Sequence, residues 1–372
     1  MNVERDIVGV AAPFAVGVLL TVYAGASFPA AFVMIAVAFS LLCFSLYPNN
    51  ASCWTDSRVI WILIYIATCG CGILSAATGQ SLIDMPESWL ERIATDFCRN
   101  MQASIDKIPF QSEDTNALLK ALLTGEKASL SNEIKHAFRS SGASHILALS
   151  GLHLGIIYMI ISKALGILGN DVRAKLLRSI LIILLCGFYT LATGAGASIT
   201  RAFIFITLGE IARMTGRNSS LVQTLFTSLL LQLVFSPLSM KTIGFQLSYA
   251  AMAGIAFIFP WLKSFWPEGK DKEPSTKAGR ILSNSMRWIW NSAALSISCQ
   301  ITTGPIAYLY FGSVPLNFIL TNLIALPLTG ILIPCALAAL CMSSFGWCPE
   351  FIIGATEQIA KILIWSLQVI AS

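Results

Sequence analysis

Apolar residues fall in long runs along this chain, and the polar residues between them cluster in short stretches. The runs reach the length of about 20 residues that a helix needs to cross a bilayer. They predict spans at 7–23, 28–47, 59–78, 145–162, 179–195, 198–214, 221–235, 244–262, 288–310, 315–342 and 350–370. The expected fold class is therefore all-α: a polytopic membrane helical bundle of about ten to twelve spans, some of them broken. Pro315, Pro327 and Pro334 make the 315–342 run either one kinked helix or two shorter ones. The first run, Ile7 to Tyr23, resembles a signal peptide but lacks a small-residue cleavage site and is read as retained.

One long segment has a different rhythm. Between 80 and 143, Trp89, Ile93, Phe97, Met101 and Ile105 recur every four residues, an apolar stripe on one helix. Leu118, Leu119, Leu122 and Leu123 begin a second stripe, with Asp114 as the expected cap. Leu130, Ile134 and Phe138 make a third. The expected organisation is N-terminal transmembrane helices over 1–79, extracytoplasmic amphipathic helices over 80–143 and a transmembrane core over 144–372. The amphipathic helices either pack on the bundle's outer surface or lipid headgroups, or cover the mouth of a path leading to His145.

Composition agrees with a membrane class. The chain of 372 residues is 56% hydrophobic and 12% charged, against about 25% charged in a soluble domain. Lys and Arg set the orientation. With the N-terminus in the cytoplasm, Lys163, Arg173, Lys175, Arg178, Arg213, Arg217 and the 268–280 loop with Lys270 and Lys272 fall inside, and the short outer loops hold Lys241. Cysteines such as Cys69, Cys186 and Cys299 sit in apolar runs and read as small membrane-core residues. Three histidines are too few for a zinc cluster, and no metal or cofactor is expected.

Candidate chemistry lies where polar residues enter apolar runs, since such groups at membrane depth need a partner or a wet cavity. Ser144–Ile161, SHILALSGLHLGIIYMII, carries His145, Ser150, Gly151 and His153. As one helix it puts Ser150 and His153 on one face, with His145 two turns before His153. Thr193–Arg201, TGAGASITR, is a tight turn of small residues that delivers Arg201 into the next span. The nearest carboxylate along that span is Glu210. GFQLSYAAM places Gln246 and Ser248 at a span's start, and in SISCQITTGP the residues Ser296, Gln300 and Thr303 form a polar stripe ahead of a helix-breaking Pro305. The sequence contains no GxxxxGK[ST], GxSxG or HExxH, and Ser150 and His153 lack a carboxylate to orient them, so no enzyme is expected. A purely structural scaffold explains neither Arg201 nor the histidines; a small-molecule or ion permease with a mid-membrane polar site is the alternative to a conduit.

The run LLTGEKASLSNEIKHAFRSSGASHILALSGLHLG resembles the core signature of the ComEC competence proteins, and TGAGASITRAF, GFQLSYAAMAGI and QITTGPIAYLYFGSVPLNFILTNLIALPLTGILIP fit the same family in the same order. The resemblance covers about 115–343. It implies a channel passing single-stranded DNA across the bacterial cytoplasmic membrane during natural transformation. The path would be lined by His145, Ser150, Gly151, His153, Arg201, Gln246 and Gln300. It also implies membrane lipid, a cytoplasmic motor, DNA-receiving proteins and a separate nuclease as partners. Longer members carry an OB-fold insert and a metallo-β-lactamase-like nuclease domain. Neither is expected within this sequence, which has no HxHxDH motif.

Overall fold

The computed structural model describes residues 3–45, 57–79, 88–169, 171–217, 219–265, 277–312, 317–346 and 348–371. The opening of the 80–143 segment (80–87), Lys270, Lys272, most of the 268–280 loop and Pro315 lie outside the described residues. Every regular element among the described residues is a helix. The chain forms two compact units, Met1–Glu87 with Ile204–Tyr249, and Ser88–Phe203 with Ala250–Ser372.

Three long helices dominate the first unit: α1 (Val3–Ala24), α2 (Phe28–Ser45) and α3 (Ser57–Gly79). Small residues let their backbones touch. A Cβ on Gly17 of α1 would sit 2.0 Å from the Cys69 carbonyl oxygen of α3, and one on Gly72 would sit 2.1 Å from the Phe14 carbonyl oxygen. Thr21 donates across the same crossing to the Ile73 carbonyl, 3.4 Å. Between apolar helices in lipid there is little hydrophobic drive to associate, so close packing and hydrogen bonds across small residues carry the contact.

The second unit is built on a different principle. α4 (Trp89–Asp106), α5 (Glu113–Thr124) and α6 (Asn132–Ser140) precede α7 (Ser144–Leu147), α8 (Gly151–Ala164) and α9 (Val172–Ala192). In chain order there follow α10 (Ala197–Thr215), in this unit up to Phe203, then α11 (Leu221–Phe235) and α12 (Ile243–Ala253), in the first unit up to Tyr249, and, back in the second unit, α13 (Phe259–Ser264), α14 (Lys277–Phe311), α15 (Phe318–Ser344) and α16 (Glu350–Ala371). The leucine stripe of α5 and the Ile134 and Phe138 stripe of α6 are buried in one apolar cluster with Leu332, Ile333 and Ala336 of α15 and Leu363 and Leu367 of α16. Burying each large side chain contributes roughly 1.5–3 kcal/mol, so the amphipathic helices are structural members of the unit. The start of α5 differs from expectation: Ser112 is its N-cap and Asp114 lies in the first turn.

Six helical stretches among the described residues are long and apolar enough to span: Asp6–Ala24, Ile60–Gly79, Gly151–Leu168, Val172–Ala192, Ile243–Ser264 and Phe318–Ser344. The expected spans at 198–214, 288–310 and 350–370 form helices outside that set. α10 carries Arg201, Glu210 and Arg213, α14 the Ser–Gln–Thr stripe, and α16 Glu357 and Lys361. α15 is one continuous helix through Pro327 and Pro334. Pro305 does not end α14, which runs on to Phe311. The span Ile243–Ser264 contains a π-turn, Gly254–Ile258, just before Pro260. The wider turn accommodates a proline that has no N–H and crowds the carbonyl four residues back. A Cβ on Gly254 would lie 2.3 Å from the Ser298 carbonyl oxygen, so this turn is pressed onto α14.

Gly72→Ala should lower the thermal midpoint of detergent-purified protein, by about 1–3 kcal/mol of overpacking or more. Gly155→Ala, which meets no atom within 4 Å, should leave it unchanged or slightly raised.

Candidate functional site

α5 ends on Gly125, whose φ of 79° is left-handed and whose N–H donates to the Ala121 carbonyl, 3.1 Å. The next turn closes on Glu126, whose carboxylate accepts from the Ala128 N–H at 2.7 Å, the Ser129 N–H at 3.2 Å and the Ser129 hydroxyl. Chiefly the Ser129 hydroxyl holds the Glu126 carboxyl below its ordinary range, with the backbone donors and the Lys120 charge adding to it. Ser131 then caps α6, accepting from the Ile134 N–H at 3.3 Å. The carbonyl of Ser141, at the end of α6, accepts from Thr321 of α15 at 2.7 Å.

The next stretch departs from the single helix expected over Ser144–Ile161. α7 is one turn, Ala148 and Ser150 are extended, and α8 begins at Gly151. Neighbouring contacts impose the break. Ile146 and Leu147 are drawn into the apolar cluster, and Leu149 rests on the αL turn, where a Cβ on Gly125 would lie 2.7 Å from its Cδ1. His145 and His153 therefore sit on different helices. His145 is exposed, its Nδ1 3.1 Å from the Gly142 carbonyl.

Ser150 and His153 do meet, as a helix cap and not as a pair on a helix face. The Ser150 N–H donates to His153 Nδ1 at 3.3 Å, and Ser150 Oγ lies 3.1 Å from the same nitrogen. With Nδ1 accepting, the neutral ring carries its proton on Nε2. That nitrogen is buried and finds no partner among the described residues, although the whole residue is only 1% exposed.

Arg201 reaches this point from α10. The turn before it uses Gly194 at φ 84° and Ala195 at φ 46°; the Ala195 N–H donates to the Thr190 carbonyl at 2.9 Å and its carbonyl accepts from Thr200 at 2.9 Å. The guanidinium lies over the start of α8, where a Cβ on Gly151 would come 3.3 Å from Arg201 Nη2. Its charge acts on the Cys299 thiol of α14, the residue before half-buried Gln300. Ser150, Gly151, His153 and Arg201 are thus brought together, with the Cys299 thiol within reach of the guanidinium's charge. Glu210 pairs instead with Arg213, 2.6 Å away and one turn on.

Gln246 belongs to the first unit. Its Nε2 donates to the Tyr23 hydroxyl at 3.0 Å and the Met240 carbonyl at 3.1 Å, bracing the end of α1. Three contributors had no local signal in the sequence: Cys299, Asn322, which donates to Ser296 at 3.2 Å, and Tyr189, which donates to the Leu123 carbonyl at 2.7 Å. Each is an ordinary membrane-helix residue until its partner, far away in the chain, is known.

Residues 122–372 match the family model described as Competence protein. The chain belongs to the competence protein family. The family match begins inside α5, just before the Gly125 turn, and takes in every residue of the site above. This competence-family chain is 30% identical over 143 residues to ComE operon protein 3 of Bacillus subtilis, covering 37% of the chain and 17% of that relative. It is 26% identical over 260 residues to Competence protein ComA of Neisseria gonorrhoeae, 68% of the chain and 34% of the relative. It is 24% identical over 254 residues to the uncharacterized protein YcaI of Escherichia coli, 67% and 31%. The matched part of the chain thus spans about a third or less of each relative's length. No solved structure matches it.

Gly125→Ala should cost about 1–2 kcal/mol for the left-handed backbone alone, plus the displacement of Leu149. A lowered thermal midpoint of the detergent-purified Gly125→Ala protein checks this. Glu126 makes stability depend on pH in one direction. Its folded pKa lies below the ordinary 4.5, so its contribution is present above that value and is lost as pH falls through the folded pKa. Glu126→Gln should flatten the thermal midpoint's fall over that acid window.

Proposed function

We propose that this chain lines a path for single-stranded DNA across the bacterial cytoplasmic membrane during natural transformation. The supporting observation is Arg201 over the amino end of α8, within electrostatic reach of Cys299 on α14. A guanidinium next to a helix amino terminus suits a phosphate, because the charge and the dipole's positive end act together. Family membership supports the same role, since the matching family is that of competence proteins and the Neisseria gonorrhoeae relative is itself Competence protein ComA. Ser150, His153, Gln300 and the ring of His145 would give the path hydrogen-bonding groups. One arginine in a largely neutral lining suits a conduit that must release its cargo.

In this reading the chain performs no catalytic step. Its N-terminus is cytoplasmic, and the helices of the 88–143 segment face the side from which DNA arrives. A cytoplasmic motor supplies the driving force, DNA-receiving proteins take up the strand, and a separate nuclease prepares it. The enclosure of His153 supports a second reading, a small-molecule or ion permease with its site at that ring.

Uptake of labelled DNA separates the two. Arg201→Ala should cut internalised DNA by about tenfold or more, since a charge-assisted hydrogen bond is worth roughly 1.5–3 kcal/mol. Arg201→Lys should restore part of it, with membrane protein level and surface-bound DNA unchanged. Wild-type uptake in both Arg201→Ala and His153→Ala at normal protein level would overturn the conduit assignment and favour the permease.

A further inference from the structure

α4 has a wide apolar arc, and the protein covers only half of it. Ala94, Cys98 and Ile105 face inward and are buried. The adjoining row does not: Trp89 is 73% exposed, Ile93 50% and Phe97 44%, with Leu90 beside them. The expected stripe of five therefore divides, its last two members entering the core and its first three remaining outside. The opposite arc is polar, with Arg92, Asp96 and Arg99 exposed and an Asp96–Arg99 ion pair of 3.3 Å. A complete capping box at Ser88, its N–H donating to Glu91 at 2.8 Å, starts the helix just ahead of Trp89.

The place where α4 packs says what covers the open row. Ala94 and Cys98 pack on Ala192, with Phe188 and Leu191 against them. Phe97 meets Phe188 edge-on, centroids 5.2 Å apart. Val172–Ala192 is a membrane-length apolar helix, so Ala192 marks where a span leaves the bilayer. Two turns further in, Leu184 and Leu185 of that span are themselves exposed. The Ile93–Phe97 row thus continues, through Phe188, onto the apolar flank that a span presents to lipid. Five charged residues and a polar arc keep α4 out of the hydrocarbon core, and its uncovered aromatic and aliphatic row is poorly suited to water.

The geometry points to α4 as an interfacial helix seated in a lipid surface, with Trp89, Leu90, Ile93 and Phe97 at the boundary between headgroups and acyl chains. One apolar flank rests on α9, the other dips into lipid, and the charged arc faces water, the arrangement of helices that lie in the membrane plane. Tryptophan is favoured at that depth. Glu91 and Asp96 balance Arg92 and Arg99, so apolar burial and not attraction to anionic lipid seats the helix. α8 and α9 are consecutive spans joined by a short loop, which puts Gly151 on the same face of the membrane as Ala192. The seat of α4 thereby fixes the depth at which the Ser150–His153 cap and Arg201 meet the interface. This inference rests on the membrane reading of the chain and is independent of the DNA reading.

The test places a benzophenone-bearing residue at Ile93, Phe97, Leu184 or Arg99, one at a time, in the full chain reconstituted in vesicles. The vesicles are phosphatidylcholine alone or phosphatidylcholine with phosphatidylglycerol. After illumination, lipid adducts are read by mass spectrometry. Positions 93 and 97 should give lipid adducts comparable to 184 and several-fold above 99, in both vesicle types. Adducts at 184 but none at 93 and 97 would overturn the proposal, as would crosslinks from 93 to a second copy of the chain. Absence of adducts at 184 as well would remove the membrane reading itself, and this inference with it.

Discussion

A helix interrupted inside a membrane protein must return its freed backbone groups to protein, because hydrocarbon offers no hydrogen bonds. The break at 148–150 meets that constraint, and most of the second unit is arranged to meet it. The Ala148 N–H still donates to Ser144, the Ser150 carbonyl accepts from Leu154, and the Ser150 N–H is taken by the His153 ring. Buried residues hold the segment on both sides: Ile146 and Leu147 in the cluster built by α5, α6, α15 and α16, and Leu149 against the left-handed turn at Gly125. The two parts of the LLTGEKASLS…HILALSGLHLG signature therefore form one physical object. The first part makes the turn and the second rests on it.

The class of the fold was legible because spans need length and apolarity, and both can be counted. The break inside 144–161 was not. Nothing between Ile146 and Ser150 is a helix breaker, and the interruption is imposed by contacts made more than twenty residues earlier. The same holds for the stripes of α5 and α6. Their periodicity announced amphipathic helices correctly, but the surface receiving them is α15 and α16, some two hundred residues later. Prolines were read less surely. Pro305 read as an interruption, yet α14 continues past it, and of the two readings open at Pro327 and Pro334 the single helix is the one formed, since neighbours in a packed bundle tolerate a missing hydrogen bond.

The candidate site shows which polar signals were local. Ser150 and His153 are three residues apart and met as expected, though through a cap. Arg201 met Gly151 because a turn of small residues aims α10 back at α8, and Ala195 accepts a left-handed backbone to do so. Its relation to Cys299 could not be read from a cysteine in an apolar run. Gln246 is the opposite case: a polar residue at a span's start whose visible bonds brace α1 and the Met240 turn.

The π-turn at Gly254–Ile258 amounts to one residue inserted into an α-helix. An inserted residue rotates everything beyond it by about 100° around the helix axis, so the faces presented by Trp261 and Lys263 are set by that insertion and not by the helix before it. Pro260 and the extra residue consequently form a single mutational unit. Deleting one residue from the turn while keeping the proline would swing the end of the span to a new heading and drive the pyrrolidine ring into the carbonyl of the preceding turn. Losing both together would leave an ordinary helix with its last turns facing another neighbour.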